Sequence, residues 1–155
     1  MKTLIINGGT IEDALALSYI ERVKPDCILA ADRGMEFCYR NQIKPDVILG
    51  DYDSADKTIL EAFRRQSGIE WHQYQPEKDY TDSEIAIGKA MERNSSEIHI
   101  LGGTGTRLDH VLGNIQLLMQ PLAKDIPCFL IDSHNRIRLL KAVSYTHLRA
   151  HETSQ

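Results

Sequence analysis

The chain has 155 residues, of which 42% are hydrophobic and 26% are charged, a composition typical of one soluble globular domain and not of a disordered chain. Its 22 acidic and 18 basic residues give a formal net charge of −4, so non-specific binding to a polyanion is disfavoured and no nucleic-acid partner is expected. The longest apolar runs have only the length of strands, and the N-terminus enters a strand pattern without a signal region, so we expect a cytoplasmic protein and no membrane partner.

Short β-rich runs alternate with longer helical patterns along the chain. The predicted strands are Thr3 to Ile6, Cys27 to Ala31, Val47 to Leu49, Glu70 to Tyr74, Ile98 to Leu101 and Cys128 to Ile131. The predicted helices, which have apolar residues at every third or fourth position, are Asp13 to Arg22, Met35 to Asn41, Lys57 to Gln66, Ser83 to Arg93 and Leu108 to Met119. This alternation predicts an α/β fold: a mostly parallel sheet of about six strands with helices on both faces, a Rossmann-like three-layer sandwich.

Polar and glycine residues follow four of the predicted strands directly. They are Asp32 and Gly34 after the second strand, Asp51 and Asp53 after the third, Gly102 and Gly103 after the fifth, and Asp132 after the sixth. The carboxyl ends of parallel strands share one edge of an open sheet, and ligands bind in the crevice outside that edge. We therefore expect these residues to converge on one site.

An acidic loop, Gly50 to Ser54, follows the third strand. Its two carboxylates, Asp51 and Asp53, are of the kind that hold magnesium together with water and substrate phosphates. The alternative is an acidic turn in which Ser54 caps the next helix.

The segment Lys78 to Glu84 precedes a predicted helix. In one interpretation Thr81 or Asp82 is the N-cap, and the early acids favour the positive end of the helix dipole. In the other, Lys78 supplies positive charge to a phosphate and Asp82 adds a third carboxylate to the metal site. One residue can serve both purposes.

A glycine-rich segment, Gly102 to His110, lies between a strand and a helix. Its glycines permit close backbone approach to an anion, the helix N-terminus can receive the anion, and Arg107 can bind it through two hydrogen bonds. The segment matches neither the P-loop nor the complete dinucleotide fingerprint. We interpret it as a phosphate site, with His110 orienting Asp109 or a ligand instead of acting as the base.

The motifs taken together resemble the thiamine pyrophosphokinase family. They are Ala31-Asp32-x-Gly34, Lys44-Pro45-Asp46-x-Ile48-x-Gly50-Asp51-x-Asp53-Ser54, Lys78-Asp79-x-Thr81-Asp82-x-Glu84 and Gly102-Gly103-x-Gly105-x-Arg107-x-Asp109-His110-x-x-x-Asn114. The resemblance covers about residues 3 to 140. It implies that residues 1–140 form a nucleotide-binding catalytic domain, which transfers diphosphate from ATP, the co-substrate, to thiamine with Mg²⁺, and which belongs to a family whose members are commonly dimers.

The resemblance also implies roles for individual residues. Asp51, Asp53 and Asp82 match the acidic metal and phosphate site, where they would act in catalysis with Arg107. The expected contacts to the nucleotide and its phosphates come from Asp32, Gly34, Ser54, Lys78, Asp79, Thr81, Gly102, Gly103, Asp109, His110 and Asn114.

The sequence departs from the family in two places. Arg33 stands where the family commonly has a small residue, so the turn after Asp32 is either less open or carries an extra phosphate contact. The family also continues into a β-rich domain that helps to form the thiamine pocket, and this domain is missing here. Residues 141–155 show no strand alternation, and we expect them to be an irregular tail produced by truncation or misassembly.

Two other functions are consistent with these motifs. The first is a magnesium-dependent diphosphokinase that acts on another alcohol, such as a pterin. The second is a non-catalytic nucleotide-binding module that lacks acceptor chemistry because the acceptor domain is absent. Asp51, Asp53 and Asp82 argue against the second alternative. A protein that only binds a nucleotide has less need of three carboxylates near the polyphosphate.

Overall fold

The computed structural model of the chain describes residues 1–53, 55–75 and 80–142. The elements in chain order are β1 (Lys2–Ile6), α1 (Asp13–Val23), β2 (Cys27–Ala31), α2 (Gly34–Arg40), β3 (Val47–Gly50), α3 (Lys57–Arg64), β4 (Glu70–Gln73), α4 (Asp82–Glu92), β5 (Glu97–Leu101), α5 (Leu108–Leu117), α6 (Met119–Ala123), β6 (Cys128–Ile131) and β7 (Arg136–Ile137). All six predicted strands and all five predicted helices are confirmed.

The sheet has the strand order β4-β3-β2-β1-β5-β6-β7. The first six strands are parallel, and β7 pairs antiparallel with β6. Successive strands β1 to β4 extend the sheet in one direction, whereas β5 pairs on the opposite side of β1. The strand order therefore reverses between β1 and β5, and this is where an open α/β sheet offers its ligand crevice.

Helices cover both faces of the sheet, as predicted. Ala16 of α1, Phe37 of α2 and Phe63 of α3 pack in one apolar cluster with Ile6 and Ile48. A second cluster joins α4, through Ala86 and Ala90, to the end of α5 and to the alternate residues of the same strands. Because side chains alternate across a strand, the two clusters lie on opposite faces, and the mostly parallel three-layer sandwich is confirmed.

The helices are short, with at most 11 residues each. The last predicted helix is divided at Leu118, whose N–H bonds to the carbonyl of Ile115 three residues back and not four. Pro121 follows and lacks an N–H to continue the ladder, so a separate α6 forms. Within the described ranges, no helix has the length and apolar character needed to cross a bilayer.

Strand β7 was not predicted, because two residues are too few to show an alternating pattern. A tight turn sets its antiparallel direction. Asp132 Oδ1 accepts hydrogen bonds from the backbone N–H groups of His134 at 2.8 Å and Asn135 at 2.7 Å. Asp132, the polar residue predicted at the end of β6, therefore stabilises this turn.

Candidate active site

A cleft of about 620 Å³ opens at the carboxyl ends of β1, β2 and β5. It lies where the strand order reverses, which is the position expected for a ligand in this class of sheet. The loops after these three strands line it, together with the first turn of α4 and one side of α5. Seven residues predicted from the sequence line this cleft: Asp32, Asp82, Gly102, Gly103, Arg107, His110 and Asn114.

Two backbone hydrogen bonds hold the loops after β1 and β5 together. The N–H of Gly9 donates to the carbonyl of Gly102 at 2.8 Å, and the N–H of Thr10 donates to that of Thr104 at 2.9 Å. A Cβ atom on Gly9 would lie only 2.3 and 2.4 Å from those two carbonyl oxygens. Residue 9 must therefore be glycine for the two loops to meet.

The predicted glycines serve close packing around this junction. A Cβ on Gly34 would lie 1.9 Å from the carbonyl oxygen of Ile6, so this glycine lets α2 begin directly against β1. Gly102 has φ +73° and would place a Cβ 2.2 Å from the carbonyl oxygen of Asn7. Gly34 does not line the cleft, whereas Gly102 does.

Asp32 lines the cleft at the end of β2 and is partly buried. Its backbone is left-handed, with φ +55°, and its N–H donates to the carbonyl of Leu49 at 2.9 Å. Burial raises the pKa of the Asp32 carboxyl, and the negative charge of Asp82 raises it further, as does that of Asp51. Asp82 and Asp51 thus both act on Asp32 through their charge, although the three carboxylates come from three separate segments.

Asp51 and Asp53 form a turn at the end of β3. The side chain of Asp51 accepts a hydrogen bond from the backbone N–H of Asp53 at 3.0 Å, and the carboxylate of Asp53 is exposed. Neither residue lines the cleft. Across residues 1–53, 55–75 and 80–142, no group of three or more His, Cys, Asp or Glu side chains is arranged to hold a metal ion, so the metal site stays a prediction.

Arg107 lines the cleft at the start of α5. Its guanidinium donates two hydrogen bonds to Asp109, at 3.2 and 2.7 Å, and this contact lowers the pKa of the Asp109 carboxyl. Both side chains are about two-thirds exposed, and such exposed pairs contribute little to stability. Arg107 can therefore exchange its carboxylate partner for an anionic ligand at small cost.

Two further arginines line the cleft from the α2 side, Arg33 and Arg40. Arg33 pairs with Glu36 at 3.3 Å, and its side chain is 60% exposed at the rim. A Cβ on Gly8 would lie 3.0 Å from the Cβ of Arg33, so the absence of a side chain at position 8 leaves room for the larger residue. The turn after Asp32 accommodates an arginine in this way.

Two further predicted site residues, Thr81 and Asn114, make hydrogen bonds that support the local backbone. Thr81 is the N-cap of α4, where its hydroxyl accepts a hydrogen bond from the N–H of Glu84 at 3.1 Å. Asn114 donates from its side chain to the carbonyl of Gly103 at 2.7 Å. Ser54, Lys78 and Asp79 lie outside the described residues, as do the tail residues from 143 onwards.

Sequence reasoning missed the loop after β1, of which Asn7, Gly8, Gly9 and Thr10 all line the cleft. A signal was present, because a glycine pair followed by threonine comes one residue after β1, much as another such pair comes directly after β5. Only the second pair was singled out, since it was followed by charged residues.

Comparisons with known proteins place this architecture among its relatives. The family model described as "Thiamin pyrophosphokinase, catalytic domain" matches residues 22–130. The thiamine pyrophosphokinase of Bacillus subtilis (strain 168) is 38% identical over 120 residues, which are 76% of this chain and 54% of that protein. Thiamine pyrophosphokinase 2 of Arabidopsis thaliana is 30% identical over 125 residues, which are 77% of this chain and 46% of that protein.

Solved structures of thiamine pyrophosphokinases have a similar fold. The crystal structure of the Bacillus subtilis thiamine pyrophosphokinase has a TM-score of 0.75 and 29% identity, with 89% of this chain and 63% of that one covered. For the thiamin pyrophosphokinase of Geobacillus thermodenitrificans, the TM-score is 0.72 and the identity 27%, with 89% and 62% covered. The chain spans about half the length of the two sequence relatives that it matches.

Proposed function

The chain belongs to the thiamine pyrophosphokinase family, and we propose that it transfers the diphosphoryl group of ATP to the hydroxyl group of thiamine, giving thiamine diphosphate and AMP. The observation that carries this proposal is the composition of the cleft. The cleft combines two carboxylates, Asp32 and Asp82, with glycine loops and arginines at the point where the strand order reverses. A nucleotide polyphosphate requires this combination of anion-binding backbone and carboxylates for its cation.

In the proposed reaction the hydroxyl oxygen of thiamine attacks the β-phosphorus of ATP. The new O–P bond forms as the bond from the β-phosphorus to the oxygen bridging the α-phosphorus breaks, and that electron pair leaves with AMP. The hydroxyl proton passes to a base. Arg107 would stabilise the negative charge that develops on the phosphoryl oxygens, while the backbone of Gly102 and Gly103 orients the chain of phosphates.

Magnesium is part of the proposal, with Asp51, Asp53 and Asp82 as the residues that would hold it. The fit rests on the donor set, because carboxylate oxygens are the ligands that Mg²⁺ prefers. Asp82 and Asp51 also raise the pKa of Asp32 through their charge, which a cation would offset. These carboxylates do not by themselves form a complete ligand group, and Mg²⁺ commonly completes its shell with water and substrate phosphates. When bound, it would neutralise charge on the phosphate chain.

A cytoplasmic location also belongs to the proposal. Cys27, Cys38 and Cys128 are free and buried, and unpaired cysteines are typical of a reducing compartment. ATP and thiamine are the proposed partners, with neither nucleic acid nor membrane among them, and a homodimer is proposed from the family. Light scattering coupled to size exclusion tests the dimer, because a mass near that of one chain excludes it.

The test of the activity measures AMP release from ATP and Mg²⁺, with and without thiamine. Asp51→Asn should abolish thiamine-dependent AMP, whereas Asp125→Asn, at an exposed residue before β6 on the opposite edge of the sheet, should leave it unchanged. Binding of ATP without AMP formation would indicate a nucleotide-binding module. A folded sample that binds no nucleotide would contradict the assignment of the cleft.

A further inference from the structure

Two side-chain hydrogen bonds, one partly buried and one buried, connect the two ends of β1 to the first turn of α4 and to the segment that follows α4. At its carboxyl end the Nδ2 of Asn7 donates to the Oγ of Ser83 in the first turn of α4, at 2.9 Å. At its amino end the hydroxyls of Thr3 and Ser95 are 2.5 Å apart, and Ser95 follows α4 closely in the chain. Asn7, Thr3 and Ser95 are all at least 94% buried.

The two connections differ in how completely their polar atoms are satisfied. Ser95 also donates to the carbonyl of Ala90 at 2.6 Å, so its hydroxyl is fully used. The Oδ1 of Asn7 is buried and has no hydrogen-bond partner among the described residues. A buried oxygen without a hydrogen-bond partner destabilises the folded state, and an apolar side chain of similar size would avoid that cost. Stability therefore does not explain why residue 7 is an asparagine.

The position of the bond offers a different explanation. Ser83 directly follows Asp82, and both line the same cleft as Asp32. Two carboxylates that line one cleft repel one another, so their charges do not hold the first turn of α4 at the end of the sheet. The Thr81 cap acts within that turn, through the N–H of Glu84, whereas the Asn7 bond connects the turn to the sheet.

We propose that Asn7 is a positioning residue whose amide fastens the first turn of α4 to the carboxyl end of β1 and thereby holds Asp82 beside Asp32. The consequence for ligands rests on the proposed function, in which Asp82 helps to hold the magnesium of the nucleotide. Loss of the bond should loosen the turn and weaken binding of the magnesium nucleotide.

The first measurement needs no ligand. Hydrogen exchange at the Glu84 and Ile85 amides, followed by NMR, should be about tenfold faster in Asn7→Leu and in Ser83→Ala, as expected for one lost hydrogen bond. Thr3→Val is the matched control, because it removes the bond at the other end of β1, and it should leave these two amides unchanged. Asn7→Leu should keep or raise the thermal midpoint, since it removes the unsatisfied oxygen.

The second measurement is calorimetric binding of MgATP to the same variants. Affinity should fall about tenfold or more in Asn7→Leu and Ser83→Ala, the usual effect of removing a residue that orients a metal ligand, and stay the same in Thr3→Val. Unchanged exchange in both cleft variants, or unchanged affinity in both, overturns the proposal. A wild-type chain that binds no MgATP overturns the proposed function, while the exchange rates still decide whether Asn7 fastens the turn.

Discussion

The backbone N–H of Gly9 lies 2.8 Å from the carbonyl oxygen of Gly102, so a hydrogen bond joins the loops after β1 and β5. These two strands are neighbours in the sheet but are separated by more than ninety residues in sequence. The bond spans the point where the strand order reverses, and the joined loops form a continuous glycine-rich lining for the cleft.

Replacing Gly9 by alanine should damage this junction. The new Cβ would lie 2.3 and 2.4 Å from two carbonyl oxygens, and overpacking of this kind costs about 1–3 kcal/mol. We expect Gly9→Ala to lower the free energy of unfolding, measured in urea, and to weaken ATP binding. Gly113→Ala is the control, because a Cβ there meets nothing within 4 Å and alanine favours a helix by about 1 kcal/mol. Equal stability of the two variants would contradict the close approach.

Asp32→Asn should stabilise the protein while abolishing turnover. Burial and the charges of Asp82 and Asp51 raise the pKa of the Asp32 carboxyl, so its ionised form is disfavoured in the folded state. Removing the charge should increase stability by about 0.5–2 kcal/mol, as substitutions that relieve unfavourable charges commonly do. Asparagine also tolerates the left-handed backbone at this position. Thermal unfolding and AMP release measure the two effects.

The pH dependence of the stability gained in Asp32→Asn tests whether removal of the charge causes it. A raised folded-state pKa means that the carboxylate destabilises the fold above that pKa, and the effect disappears once the pH falls below the ordinary value of 3.8. The difference between Asp32→Asn and the wild type should therefore be largest at neutral pH and shrink in acid. Asp32→Ala should be less stable than Asp32→Asn, because alanine does not readily adopt φ +55°. A gain independent of pH would contradict the electrostatic cause.

Arg107→Lys should weaken ATP binding without unfolding the protein. Lysine keeps the charge but loses the planar pair of donors that binds an oxyanion through two bonds, and we expect the dissociation constant for ATP to rise about tenfold. Because Arg107 and Asp109 are both exposed, the unfolding midpoint should not move. Arg22→Lys, on the outer side of α1, serves as the control. Unchanged ATP affinity would remove Arg107 from the phosphate site.

His99 should make stability sensitive to mild acid. It is 3% exposed, contacts the hydroxyl of Tyr19 and Glu97, and stacks on Phe129. Burial lowers its pKa despite the neighbouring Glu97, while Arg136 and Lys2 lower it further. The unfolded state therefore takes up a proton before the folded state does, so stability should be fully present above about pH 6.5 and decline as the pH falls below it.

Urea unfolding at pH 7.5 and pH 5.5 measures this effect. His99→Gln should be less stable at both values, because it loses the ring stacking, but its stability should fall less between them than that of the wild type. The exposed His134 provides the comparison, and His134→Gln should keep the wild-type pH dependence. If His99→Gln keeps that dependence as well, the titrating group lies elsewhere.

The sequence by itself determined the order of elements and the residues available for the site. Buried strands such as Cys128 to Ile131 are continuous apolar runs, and amphipathic helices repeat at three and four residues, so local patterns were sufficient. The strand-end rule correctly brought Asp32, Gly102 and Gly103 to one cleft, because every parallel strand ends at the same edge. Asp51, Asp53 and Asp132, which the rule also named, do not line that cleft.

Only the tertiary structure decided which strands are neighbours. The pairing of β1 with β5 depends on how helices pack on the two faces, and no local pattern encodes it. That pairing makes Gly9 and Asn7 part of the cleft, where Asn7 bonds to Ser83 next to Asp82. Asp53, in the turn after β3, is exposed. Side-chain identity thus set the chemistry that is available, whereas long-range packing set which of those groups can act together.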